Sequence, residues 1–399
     1  MLRAVAGLPV DADQGGPSAG LTRVNPPGPP ERNIQGARRT AMRRKTFEES
    51  RMNEHDLERR EMLGVVGAGL IAAAITALSI PPSAQGQSPI VIKFSHVVAA
   101  DTPKGKASDF FKKRAEELTG GKVKVEVYAN SALYKDKEEM EALQLGAVQM
   151  LAPSLAKFGP LGVKEFEVFD LPYLFDDYAQ LHRVTQGPVG KQLLGKLESR
   201  GIKGLAYWDN GFKVMSSNKP IRTVADYKGQ KMRIQSSKVL EAQMRALGVL
   251  PQVMAFSEVY QALQTGVVDG SENPPSNLYT QKMHEVQKHV SVTNHGYLGY
   301  AVITNKKFWD GLPVDVRDQL EKAMKEATDY ANRIATEEND QALDAVRKSG
   351  KTEVVVPTAQ EKAALKSVLV KTHEELGARV GKDLVQSIYK ETGFAPSKL

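Results

Sequence analysis

The 399-residue chain has no cysteine, only two tryptophans and, between Glu61 and Asp101, not one acidic residue. The first absence excludes thiolate metal sites, cysteine nucleophiles and disulfides. The last one decides how Val65 to Ala72 is read, a stretch with the GxGxxA spacing of a dinucleotide loop. Such a loop needs a strand before it, a helix after it and an Asp or Glu about 20 residues on to hold the ribose. His96 stands where that acid should be, so neither a dinucleotide nor any other cofactor is expected.

The apolar run from Met62 to Ile80 follows the pair Arg59-Arg60 and precedes the small residues Ser83-Ala84-Gln85-Gly86. That order is the pattern of a cleavable, twin-arginine-like export signal spanning residues 52–88, with cleavage after Ala84 or Gly86 and a periplasmic destination. An uncleaved N-terminal anchor is the competing reading, because the run is long and the cleavage site is not a clean A-x-A. Residues 1–51, with "PPGPP" and "ARRTAMRRK", carry few bulky apolar groups and no period, so they read as disordered or as untranslated upstream sequence. Residues 1–88 hold 11 Lys/Arg and 9 Asp/Glu, so without them the formal charge falls from +7 to +5. A balance that modest and diffuse favours a small anionic ligand and argues against a nucleic-acid surface.

About 310 residues remain, enough for two domains of ordinary size. "PIVIKFSHV" reads as a buried strand, Lys104–Gly121 as an amphipathic helix with a glycine stop, and "KVKVEVYAN" as an alternating strand. A helix stopped by Gly146 and a short apolar strand follow, and the order recurs from "KMRIQSS" onward. Strand and helix in alternation predict α/β units with parallel, crossover-connected sheets. Pro313–Gly350 carries Val316, Leu320, Ala323, Met324, Ala327, Ala331 and Ile334 on one helical stripe, which predicts a helix on the order of 50 Å that touches both units. A break near Thr336–Asp340 would undo that expectation.

Enzymatic patterns fare poorly. After Ser88 there is neither a P-loop nor a GxSxG elbow, and "HEVQKH" spaces His284 and His289 five residues apart, about 140° round a helix, so no zinc pair is expected. Three stretches resist a bland reading: Trp208–Pro220, Tyr227–Ser237 and Asp269–Tyr279. Arg233 lies between Met232 and Ile234 in a strand that wants burial, so it is either an edge residue or a clamp for an anion. A guanidinium fork pairs bidentately with a carboxylate, which a lysine cannot reproduce. Asn273, stiffened by the two prolines after it, is either a turn residue or an amide on the same anion. Lys213 either faces a cleft or snorkels to water.

Seven ordered motifs, among them "FSHVVAADTPKGKA", "FDLPYLF", "KGQKMRIQSS" and "VMAFSEVYQALQTGVVDGSENPPSN", resemble the solute receptors of the tripartite ATP-independent periplasmic (TRAP) transporters, within their dicarboxylate, DctP-type branch. The likeness runs from about Ile90 to the C-terminus. It implies a two-lobed α/β Venus-flytrap fold with a long helix across both lobes, residues 89–210 with about 299–338 forming the first lobe and 211–298 with about 339–399 the second. It implies a monomeric receptor without catalysis, which binds a small organic acid (succinate, malate or fumarate) and delivers it to the small and large membrane subunits of a sodium-driven permease. By motif, Arg233 matches the carboxylate clamp, Asn273 its amide partner and Phe256 the aromatic beside the ligand. Lys213 occupies the place of a second arginine in the family's sialic-acid receptors. Pro153 stands where those receptors carry a ligand-contacting acid, which counts against a sialic acid. His96, Lys104, Trp208 and Tyr297 are placed at the cleft by similar motifs. The rival readings are a periplasmic enzyme acting on an organic acid and a ligand-sensing module for a signalling partner.

Overall fold

The computed structural model describes residues 88–395. The export signal up to residue 87, the GxGxxA stretch and the segment 1–51 lie outside the described residues.

Strand β1 (Ile90–Ser95) leads into α1 (Pro103–Leu118), whose first turn is capped by the Thr102 hydroxyl, which accepts from the Gly105 N–H, and is preset by Pro103. Gly120 and Gly121, both at positive φ, then turn the chain into β2 (Val123–Tyr128), parallel to β1 with Ile90 opposite Val123. After α2 (Glu139–Gln144) comes β3 (Met150–Leu151), which pairs parallel with the other side of β1. Helices α3 (Tyr178–Thr185) and α4 (Pro188–Lys196) precede β4 (Ile202–Phe212).

A second sheet begins at β5 (Val214–Ser217) and gathers β6 (Lys231–Ile234), α5 (Lys238–Ala246), β7 (Leu250–Val253), α6 (Val259–Gln264), β8 (Gly270–Asn273), α7 (Pro275–Thr280) and β9 (His289–Ser291). The chain returns to the first sheet through β10 (Tyr297–Asn305) and α8 (Lys306–Asp310). The first sheet is ordered β2-β1-β3-β10-β4. The second is β11-β9-β5-β8-β6-β7, its outer strand being β11 (Glu353–Val355). Only Lys213 separates β4 in one sheet from β5 in the other, and residues 292–296 make the return.

Helix α9 (Val314–Ser349) runs unbroken through Thr336–Asp340 and stops at Gly350, whose φ is 66°. At about 1.5 Å per residue its 36 residues span roughly 54 Å. The predicted stripe is buried. Its first half packs on α1 and β4, and its second half packs on α7 and β11. Gly211 allows the close approach at the middle, because a Cβ there would lie 2.6 Å from the Asn339 amide nitrogen. Helices α10 (Ala359–Leu369), α11 (Lys371–Val380) and α12 (Lys382–Thr392) close the chain. The domain reading had put the last two with the second lobe. Their apolar stripe, Leu376, Val380, Val385 and Ile388, is buried both with Phe166, Leu181 and Leu193 from the segment before β4 and with Val239 from α5.

Candidate functional site

Parallel α/β sheets offer ligand crevices at the carboxyl ends of their strands. Here those ends meet: His96 follows β1, Ala152 and Ser154 follow β3, Gln235 follows β6, Phe256 follows β7, and Asn273 ends β8. The two sides touch through Gln235, whose amide donates to the Ser154 hydroxyl at 2.7 Å, through Gln281 and Asn130 at 3.1 Å, and through the Lys135–Glu258 ion pair at 3.1 Å.

Four lysine and arginine side chains are buried among the described residues, and they divide evenly. Lys213 donates to Glu272 Oε1 at 2.9 Å, and His295 Nε2 lies 2.9 Å from the other oxygen of that carboxylate. Burial alone would push Glu272 upward, but Lys213 and His295 hold it at about 2. Lys157 is paired with Asp136 and, at 2.6 Å, with Glu139. Arg233 and Lys104 have no such partner. Arg233 directs Nε and Nη2 to the Met254 carbonyl, at 3.1 and 2.9 Å, and lies over the Phe256 ring at 5.7 Å. Burial depresses its basicity, with Asp136 and Glu272 opposing from a distance. Lys104 donates to the Ala152 carbonyl at 2.9 Å and sits 3.7 Å from the Tyr300 ring centroid. Desolvation, then the charge of Lys157, brings it down to about 7.

His96 adds an unsatisfied group beside Lys104. Its ring is fully buried, neither ring nitrogen has a hydrogen-bond partner among the described residues, and burial followed by the Lys104 charge pushes it down to about 3. An imidazole that is neutral and unpartnered in the interior is costly unless something polar comes to meet it.

Residues 94–379 match the family described as bacterial extracellular solute-binding protein, family 7. This chain belongs to that family. It is 65% identical over 336 residues, 84% of this chain and 99% of the other, to the C4-dicarboxylate-binding periplasmic protein DctP of Rhodobacter capsulatus. A TRAP periplasmic solute-binding protein of Sulfurospirillum deleyianum, solved with bound succinate, matches with a TM-score of 0.74 at 46% identity, covering 76% of this chain and 99% of that one. The sugar-acid-binding protein DctPAm of Advenella mimigardefordensis, solved with galactonate, matches equally well in fold, with a TM-score of 0.74 at 32% identity over 77% of this chain and 98% of that one. The expected resemblance and the two-lobed fold are thereby shown.

Within this family 7 receptor the eight residues expected at the cleft separate into groups. Arg233, Phe256, Lys104 and His96 cluster where the strand ends converge. Asn273 is buried at the end of β8 with its amide nitrogen 4.0 Å from the Met283 sulfur. Lys213, expected to face a ligand or water, is consumed by Glu272 instead, and Gly296 makes room for its stem. Trp208 lies in the core and not in the cleft: β4 turns its indole toward α9, where Nε1 donates to Thr328 at 3.0 Å. Tyr297 donates to Asp209 at 2.7 Å, next to the His182–Asp209 contact at 2.6 Å, and so belongs to the crossing between sheets. His284 and His289 are not on one helix at all: the first stacks on Tyr279, and the second lies on β9 beside Glu353.

Sequence reasoning missed Tyr300, Glu272, His295 and the trio Asp136, Lys157 and Glu139. Glu272 stands in the very motif quoted for Asn273, but adjacent strand residues face opposite ways, and that alternation was the available signal. Lys157, a single charge in the apolar stretch "LAKFGPLG", repeated the signature that singled out Arg233.

Proposed function

We propose that this protein is a periplasmic receptor that closes on a C4 dicarboxylate such as succinate, malate or fumarate and passes it unchanged to the small and large subunits of a sodium-driven TRAP permease. A cleavable N-terminal signal brings it to the periplasm in this reading. One observation carries it: of the four cations buried among the described residues, two, Arg233 and Lys104, are paired with no carboxylate of those residues, and both lie where the strand ends of the two lobes converge. An isolated buried cation is expensive, and a dianion brought in from solution neutralises both at once. Arg233 takes one carboxylate with Asn273 and with Phe256 against the ligand, and Lys104 with His96 takes the other. Because Lys213 already has Glu272, Lys104 is the better partner for the second carboxylate. Contacts made only in the closed form shift the two-lobe equilibrium toward closure.

The names and bound ligands of the relatives support this reading. The S. deleyianum protein was solved with succinate, and the R. capsulatus relative carries the C4-dicarboxylate name. Calorimetry tests the reading directly. Succinate should bind, and butyrate, of equal length with one carboxylate, should bind about tenfold to a hundredfold more weakly, the worth of one charge-assisted contact. Equal binding of the two refutes the Lys104 contact. The ligand recovered after denaturation should be unchanged, whereas turnover would mark an enzyme.

A further inference from the structure

The same fold serves relatives solved with a four-carbon diacid and with a six-carbon sugar acid, so ligand length is set by side chains. A cavity of about 370 Å³ adjoins Arg233 and is walled by Met140, Leu161, Gln235, Met254, Asp136 and Lys157, among others. That is room enough for a small ligand. Of the residues expected to hold the ligand, only Arg233 lines it.

Asp136 and Lys157 both line this cavity, and Asp136 also reaches the cluster of strand-end residues. Asp136 accepts the Phe256 backbone N–H while pairing with Lys157. Lys157 is held on its other side by the buried Glu139, and its charge bears on Lys104. We propose that Lys157, pinned between Asp136 and Glu139, is a stopper between the ligand chamber and this cavity, and that it limits the receptor to acids of about four carbons. The stopper rests on the dicarboxylate reading, since it presupposes a ligand at Arg233 and Lys104. Three charged groups fixed to one another cannot swing aside cheaply, because displacing Lys157 strands two carboxylates, one of them buried. A longer diacid therefore meets a wall where the cavity would otherwise receive it.

The test compares succinate with adipate, a diacid of equal charge and two methylenes longer, by calorimetry on the full receptor. Wild type should prefer succinate by about a hundredfold or more. Lys157→Ala with Glu139→Gln removes one charge of each sign and opens the wall, and it should bring that ratio down at least about tenfold through tighter adipate binding. Lys157→Met with Glu139→Gln removes the same charges but keeps the volume, and it should go on rejecting adipate. Adipate binding no tighter in the alanine variant than in wild type, with succinate still bound, overturns the stopper. So does wild type that binds both acids equally, whether or not either variant folds. Failure of wild type to bind succinate at all strikes the dicarboxylate reading itself, and the stopper falls with it.

Discussion

Lys213, the link between β4 and β5, faces Glu272 of β8 at 2.9 Å, both about 1% exposed at the side chain, with His295 closing the other side of the carboxylate. Breaking a buried pair from one side leaves a bare charge, at a cost of about 3–5 kcal/mol, whereas neutralising both partners costs far less. Lys213→Met should therefore destabilise the fold by about that amount, and Lys213→Met with Glu272→Gln should recover most of it. Urea denaturation of the single and double variants reads the difference. Equal stability of Lys213→Met and wild type would mean that the pair contributes nothing.

Arg233→Lys keeps the charge and loses the fork. The Met254 carbonyl takes the Nε proton and one Nη2 proton, leaving the Nη1–Nη2 edge for a two-pronged contact with an incoming carboxylate. Succinate affinity should fall well beyond tenfold in Arg233→Lys, and further in Arg233→Ala, since each charge-assisted bond is worth about 1.5–3 kcal/mol. Calorimetry giving wild-type affinity for the lysine variant would rule out a bidentate clamp.

The pH dependence of stability should carry the mark of Lys104. Its folded value, about 7, lies below the ordinary 10.5, chiefly through desolvation. Between those limits the unfolded chain holds a proton that the ligand-free fold has released, so the fold gains stability as pH rises across the window. Below pH 7 the penalty of burying the charged ammonium is present in full. Denaturation midpoints from pH 7 to 10 should rise relative to those of Lys104→Met. Saturating succinate should flatten that difference, because an anion beside the ammonium raises its folded value. A difference curve flat in both conditions would show Lys104 to be uncoupled from folding and from ligand.

Trp208 should matter for the fold and not for the ligand. It is wholly buried against Phe94, at 5.9 Å between ring centroids, and bonded to Thr328 on α9. Trp208→Ala should cost about 3–5 kcal/mol. Trp208→Phe, which keeps much of the volume, should retain wild-type succinate affinity. A large loss of affinity in a stable Trp208→Phe protein would return this residue to the cleft.

The periodicity of "PIVIKFSHV", "KVKVEVYAN" and the stripe on Pro313–Gly350 made the alternating elements and the long helix legible, because a pattern of two or of 3.6 residues states directly which face is buried. Arg233 was legible for the same reason, as a charge at an apolar position. Trp208 was misjudged because proximity to a motif does not say which side of a strand a residue occupies. In β4 that side faces α9, more than a hundred residues away.

By itself, the amino-acid order determined the elements, their alternation and the family, since these rest on local pattern and on the motifs. The tertiary structure alone decided which buried cations remain without a counter-ion. Lys213 meets an acid 59 positions along the chain and Lys157 one 18 positions back, while among the described residues Arg233 and Lys104 touch carbonyls and aromatic rings and no carboxylate. Charge compensation depends on distance in space and on loss of water, and neither is written in the spacing of residues along a strand.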